Sequence, residues 1–186
     1  MTQNHRVGMT PATFTAADAG AWRIDGIKPI VGQSLGKARR LDVRSGVLSV
    51  ADAAWALRGS AGHVRYVERA EKTVLDSISP QLGRAEATCG ALIPIRKSDA
   101  WWALPQDERR AIFEARSRHI QDSLPYLPRV ARRLYHAREL GEPFDFLTWF
   151  EFAPEHAPAF DELLAFLRSR EEWQFVEREV ELRLSR

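Results

Sequence analysis

The sequence predicts an α+β fold: two ferredoxin-like repeats, the first truncated, forming a dimeric α+β barrel-like unit. Three observations predict it. From about Thr88 onward the hydrophobic pattern runs strand, helix, strand, strand, helix, strand, which is the ferredoxin-like order. Ahead of it, residues 54–96 supply a shorter strand–helix–strand unit. Phe144 to Phe152 (FDFLTWFEF) is apolar on both sides, so a ligand, a partner chain or both must cover the second face of its sheet. The expected organisation is a poorly ordered segment at 1–20, a truncated first half at 21–98 and a second half at 99–186.

Each element has its own signal. Trp22 to Val31 alternates at period two and predicts a strand. Arg40 to Val50 is ambiguous, with a turn at Ser45-Gly46. Ala54 to Arg58 predicts a short strand stopping at Gly59. His63 to Ile78 predicts a helix, with Val67, Ala70, Val74 and Ile78 on one stripe. Thr88 to Arg96 (TCGALIPIR) predicts a buried strand. Pro105 suits a first helical position, and one helix is expected from there to Ser123, with Ile112, Ala115 and His119 on one side. Asp107, Arg110, Glu114, Ser117 and Arg118 fall on its other side, and Pro125 ends it. Arg129 to Glu139 predicts a strand with Arg132, Leu134 and His136 on one face and Arg133 and Tyr135 on the other. In the next strand Phe144, Phe146, Phe150 and Phe152 point one way, with Leu147 and Trp149 opposite. A helix carrying Phe160, Leu163, Leu164 and Leu167 follows. Glu171 to Phe175 forms a link. Val176 to Leu184 predicts the last strand, with Val180, Leu182 and Leu184 inside and Glu179, Glu181 and Arg183 outside.

Composition narrows the function classes. The chain has 186 residues, 45% hydrophobic and 28% charged, enough for one substantial core or two small units sharing a sheet. Its 27 basic and 25 acidic residues leave a net charge of +2 and are interleaved, which argues against a nucleic-acid binder. Cys89 is the only cysteine, so an intrachain disulfide and a cysteine-based zinc cluster are excluded. The first residues lack the apolar core of a secretory signal, and no stretch approaches the length of a membrane span. A cytoplasmic protein is expected. The chain carries neither a glycine-rich phosphate loop, nor HExxH, nor a nucleophile elbow.

His119 is the most informative residue. A neutral imidazole on an apolar helical stripe suits an axial ligand of an iron porphyrin, provided an acceptor fixes its second ring nitrogen. A structural histidine is the competing reading, and His63, His136 and His156 are rivals for the ligand role. Arg132 offers a permanently charged guanidinium, suited to an anionic oxidant.

The stretches IPIRKSDAWW, the His119 helix and LPYLPRVARRLYHARELGEPFDFLTWFEFAPEHAPAF resemble the short-chain, dimeric branch of the chlorite dismutase family. The likeness runs from about Trp22 to Leu184 and is dense from Trp55 onward. It implies heme b (iron) as cofactor, His119 as the proximal ligand and Arg132 on the distal side. It also implies a glutamate bonded to that histidine, Glu172 by position, with Glu171 adjacent. Tyr66 and Lys97 resemble contacts to the heme propionates, and Trp101 an aromatic beside the macrocycle. The implied activity is decomposition of chlorite to chloride and dioxygen with O–O bond formation, a detoxification, by a homodimer. Arg132 would retain the hypochlorite-level fragment. A coproheme decarboxylase of heme synthesis is an alternative, although a glutamine typically replaces the distal arginine there. A heme-binding sensor or carrier, and a ferredoxin-like dimer without heme, are two others.

Overall fold

A computed structural model describes residues 11–46, 52–61 and 69–186. Among them, eight strands close into an antiparallel barrel. They are β1 (Ala12–Ala17), β2 (Trp22–Val31), β3 (Arg40–Ser45), β4 (Trp55–Ala61), β5 (Cys89–Lys97), β6 (Val130–His136), β7 (Phe146–Phe152) and β8 (Val176–Ser185). Neighbours around the barrel run β1-β3-β2-β8-β5-β7-β6-β4, and β4 pairs back onto β1. Helix α1 (Arg69–Ile78) follows β4. Short helices α2 (Asp99–Ala103), α3 (Gln106–Arg110) and α4 (His119–Ser123) lie between β5 and β6, and α5 (Ala157–Arg168) joins β7 to β8.

Side chains fill the barrel, so its interior is a core rather than a binding cavity. Phe14, Leu41, Leu57, Leu92, Leu147 and Leu182 meet there, with Phe14 edge-on to Tyr135 at 5.2 Å and Trp22 edge-on to Trp149 at 5.4 Å. A second apolar layer lies outside. Ile93 and Ile95 of β5 and Phe150 and Phe152 of β7 pack against Phe160, Leu163, Leu164 and Leu167 of α5. This double coverage accounts for the run of apolar residues on both faces of β7.

The fold departs from the expected elements at several places, among them the first helix, whose expected apolar stripe is exposed at Ala70 and Val74. The segment at 1–20, expected to be poorly ordered, contains β1, whose Phe14 and Ala16 are fully buried between β3 and β4. Its small and threonine-rich sequence gives little local signal, and two flanking strands supply its hydrogen bonds. β4 does not stop at Gly59 but runs through it, because glycine there admits the Tyr135 side chain. Phe144 precedes β7 and belongs to the barrel interior, not to the face of Phe146, Phe150 and Phe152.

On β8, Val180, Leu182 and Leu184 point inward as expected, but Glu179 and Glu181 lie outside the barrel and are still buried. Arg168 of α5 donates to both, at 2.6 and 2.7 Å, so the covering helix carries its own counter-charge.

The largest departure is the helix expected from Pro105 to Ser123. α3 passes into a π-helical turn at Ala111–Arg116, and Arg118 then adopts a left-handed conformation (φ 50°) before α4 begins at His119. The wider turn and the break cancel the phase relation on which the Ile112, Ala115, His119 stripe rested. Ser117, assigned to the solvent side, is buried. His63 and Tyr66 lie outside the described residues.

Candidate functional site

A cavity of about 820 Å³ lies against the outer face of β5, β7 and β6. Ile93, Ile95, Phe150 and Thr148 form its sheet wall, and residues of α1, α4 and α5 close the other sides. Its size falls within the range of pockets that enclose cofactor-sized ligands. His119 and Arg132 both border it, one from the helical layer and the other from the sheet.

His119 is the first residue of α4. Its ring stacks on Phe113 at 4.4 Å, and its Nδ1 lies 2.8 Å from Glu172 Oε2. Glu172 is buried in the single-turn helix Glu171–Phe175. Its other carboxylate oxygen accepts from the Lys97 ammonium at 2.8 Å. Burial alone would raise the Glu172 pKa, but the charge of Lys97 and the bond to His119 hold it down at about 2. The carboxylate is therefore an ionised acceptor throughout the neutral range. It orients the imidazole with Nδ1 toward the protein and leaves Nε2 without a partner among the described residues.

Arg132 sits on β6 beside Phe150 of β7. Its guanidinium has no hydrogen bond or ion pair among the described residues. Desolvation in these apolar surroundings pushes its pKa down to about 10, so it stays charged at neutral pH while lacking a counter-ion. An uncompensated cation at the wall of an apolar cavity favours an anionic ligand.

Four of the expected site residues, His119, Lys97, Trp101 and Glu172, converge at one end of this cavity, and Arg132 also borders it. Lys97, expected at a propionate, is instead buried, with its ammonium turned to Glu172 and lying 4.7 Å over the Trp101 ring. Glu172 rather than Glu171 meets the imidazole, and Glu171 pairs with Arg116 at the surface. Arg133, expected on the face away from Arg132, also reaches the cavity lining but is exposed. His136 lines the cavity and His156 does not. Phe113 was missed, because a continuous helix places Ile112 rather than Phe113 beside His119.

The chlorite dismutase family model matches residues 38–186. The chain belongs to the chlorite dismutase family. It is 57% identical to the dimeric chlorite dismutase of Nitrobacter winogradskyi over 94% of this chain and 99% of that one, with a TM-score of 0.89. It shares the fold of the chlorite dismutase of Candidatus Nitrospira defluvii, with 20% identity, a TM-score of 0.67 and coverage of 95% and 91% of the two chains. A stretch of 60 residues is 38% identical to the chlorite dismutase of Ideonella dechloratans, covering 32% of this chain and 20% of that protein.

Heme fits the donor set of this member of the family. Among the described residues no group of three or more His, Cys, Asp or Glu could hold a metal ion. One anchored imidazole facing an apolar cavity would suit a metal that brings its other ligands in a macrocycle.

Proposed function

We propose that this chain binds heme b in the cavity through His119 Nε2 and decomposes chlorite to chloride and dioxygen. The observation that carries the reading is the pairing, across one apolar cavity, of a carboxylate-anchored imidazole with an arginine that has no counter-ion among the described residues. When bound, heme b supplies the redox-active iron at which ClO₂⁻ becomes Cl⁻ and O₂.

The protein groups have separate tasks. Glu172 accepts the Nδ1–H of His119, so the Nε2 lone pair points into the cavity and the imidazole becomes more basic. Lys97 neutralises the buried Glu172 and keeps its carboxylate ionised and still. Arg132 attracts the anion and holds the hypochlorite-level fragment close, so that its oxygen ends in the O–O bond instead of diffusing away. Its several fixed donors suit that role, and the apolar walls exclude water and reductants. Tyr66 and Trp101 remain the proposed edge contacts of the macrocycle, whereas the Lys97 ammonium is spent on Glu172.

We read the β8-β5-β7-β6 order as the ferredoxin-like second half, and the relative from Nitrobacter winogradskyi supports a homodimer. Among the described residues no helix is long and apolar enough to cross a membrane, and the single cysteine fits a reducing, cytoplasmic setting.

The test is direct. The purified chain is supplied with heme, the Soret band recorded, and dissolved oxygen followed after adding chlorite. Oxygen release that His119→Ala abolishes along with the parent ligand-field spectrum is the expected result. Failure to take up heme refutes the reading. A stable band without oxygen points to a sensor or carrier, and peroxide-driven loss of propionate groups from coproheme points to a decarboxylase.

A further inference from the structure

We infer that Glu114 is a positioning residue for His119. The inference rests on the proposed ligand role of His119 and concerns how that side chain is held. α4 has only five residues, too short to hold itself together in water. Its N-cap position is Arg118, whose side chain caps nothing and whose backbone is left-handed at φ 50°. For a non-glycine residue that conformation is strained.

Glu114 supplies the missing cap from the preceding turn. The Ile120 N–H donates to its Oε2 at 2.7 Å, and the Gln121 N–H donates to its Oε1 at 3.2 Å. Both carboxylate oxygens are thus spent on the first turn of the helix that begins with His119. The π-helical turn places Glu114 next to Phe113, which stacks on the imidazole. One short segment therefore holds the ring face through Phe113 and the backbone through Glu114. Ser117, in the same connection, accepts from the Glu172 N–H at 3.2 Å and so ties the histidine segment to the glutamate segment.

The consequence is a chain of dependence. Without the Glu114 cap, the left-handed break at Arg118 has nothing to offset it and α4 frays from its first residue. The His119–Glu172 contact then loosens, although neither of those residues has changed.

The test uses the full-length chain without and with added heme. In the heme-free chain, nuclear magnetic resonance reads amide exchange at Ile120 and Gln121 and the Nδ1–H proton of His119, whether or not the chain takes up heme. Glu114→Ala should lower protection of both amides about tenfold and broaden or shift upfield the Nδ1–H signal. Glu114→Gln, with one acceptor oxygen left, should lose protection at one amide only and recover much of the Nδ1–H signal. In the heme-loaded chain, Glu114→Ala should shift the iron midpoint potential positive, as a less basic imidazole stabilises the oxidised iron less. Unchanged amide protection in either variant overturns the inference. So does lost protection with a parental Nδ1–H signal, which would make Glu114 a helix cap alone. If Glu114→Ala does not fold, Glu114→Gln decides by the same two signals. Failure to bind heme would refute the functional reading and leave the heme-free result standing.

Discussion

The imidazole of His119 and the carboxylate of Glu172 meet at 2.8 Å across 53 residues of sequence. The contact joins two short helical turns that have no regular ladder between them. It is completed by Lys97, from the end of β5, on the other carboxylate oxygen. Three elements thus meet at one ionised, buried group.

That arrangement makes Glu172 a stability residue as well as a site residue. Glu172→Ala leaves the buried Lys97 ammonium without its partner, which should cost about 3–5 kcal/mol. The melting temperature should fall by roughly 6–20 °C. Adding Lys97→Met to Glu172→Ala should recover most of that loss, because it removes the orphaned charge. Thermal unfolding of the two variants measures both effects. A double variant no more stable than the single one would show that the charge is not the cause.

The depressed pKa of Glu172 fixes a pH window. In the unfolded chain the carboxyl titrates near 4.5, and in the folded chain at about 2. Between those values the unfolded state binds more protons, so stability falls as pH falls. The contribution is complete above about pH 4.5 and gone below about pH 2. The stability gap between the parent and Glu172→Gln should therefore narrow as pH is lowered through that range. Denaturant titrations at stepped pH measure it, and a constant gap would contradict the assignment.

Arg132 should control both anion binding and the fate of the reactive fragment. Arg132→Ala removes charge-assisted hydrogen bonds worth about 1.5–3 kcal/mol, or roughly ten- to hundredfold in anion affinity. Arg132→Gln should behave similarly and Arg132→Lys less severely, since a point charge replaces a planar fork. During turnover with chlorite, a hypochlorite trap should react more in the Ala and Gln variants, and the cofactor should bleach sooner. Equal trapping and an equal lifetime would remove Arg132 from that role.

Gly59 offers a test of the barrel itself. A β-carbon there would lie 2.6 Å from the β-carbon of Tyr135 and 3.3 Å from Leu147 Cδ1. Tyr135 in turn supports Phe14, so the strain falls on the barrel core. Gly59→Ala should destabilise the fold by about 1–3 kcal/mol while leaving residues of the cavity wall in place. Equilibrium unfolding measures the loss, and a variant as stable as the parent would show that β4 can shift.

The sequence by itself determined the elements whose signal is local. β2 and β8 follow period-two patterns, β5 is a short apolar run buried on both faces, α5 follows an apolar stripe, and the doubly apolar β7 announced that something covers each face. The likeness over IPIRKSDAWW, the His119 helix and VARRLYH pointed to His119, Arg132, Lys97 and Trp101, and the fold brings these four to one cavity. Tertiary structure decided what depends on distant partners. β1 exists because β3 and β4 flank it, and a threonine-rich segment cannot declare that alone. Glu172 and not Glu171 faces His119, because docking of a single turn onto Ser117 sets which of two adjacent side chains points inward. The break at Arg118 was illegible, since helix periodicity assumes unbroken hydrogen bonding and a side-chain cap such as Glu114 is a three-dimensional event. Local pattern reports which residues leave water; only the folded chain reports which of them then meet.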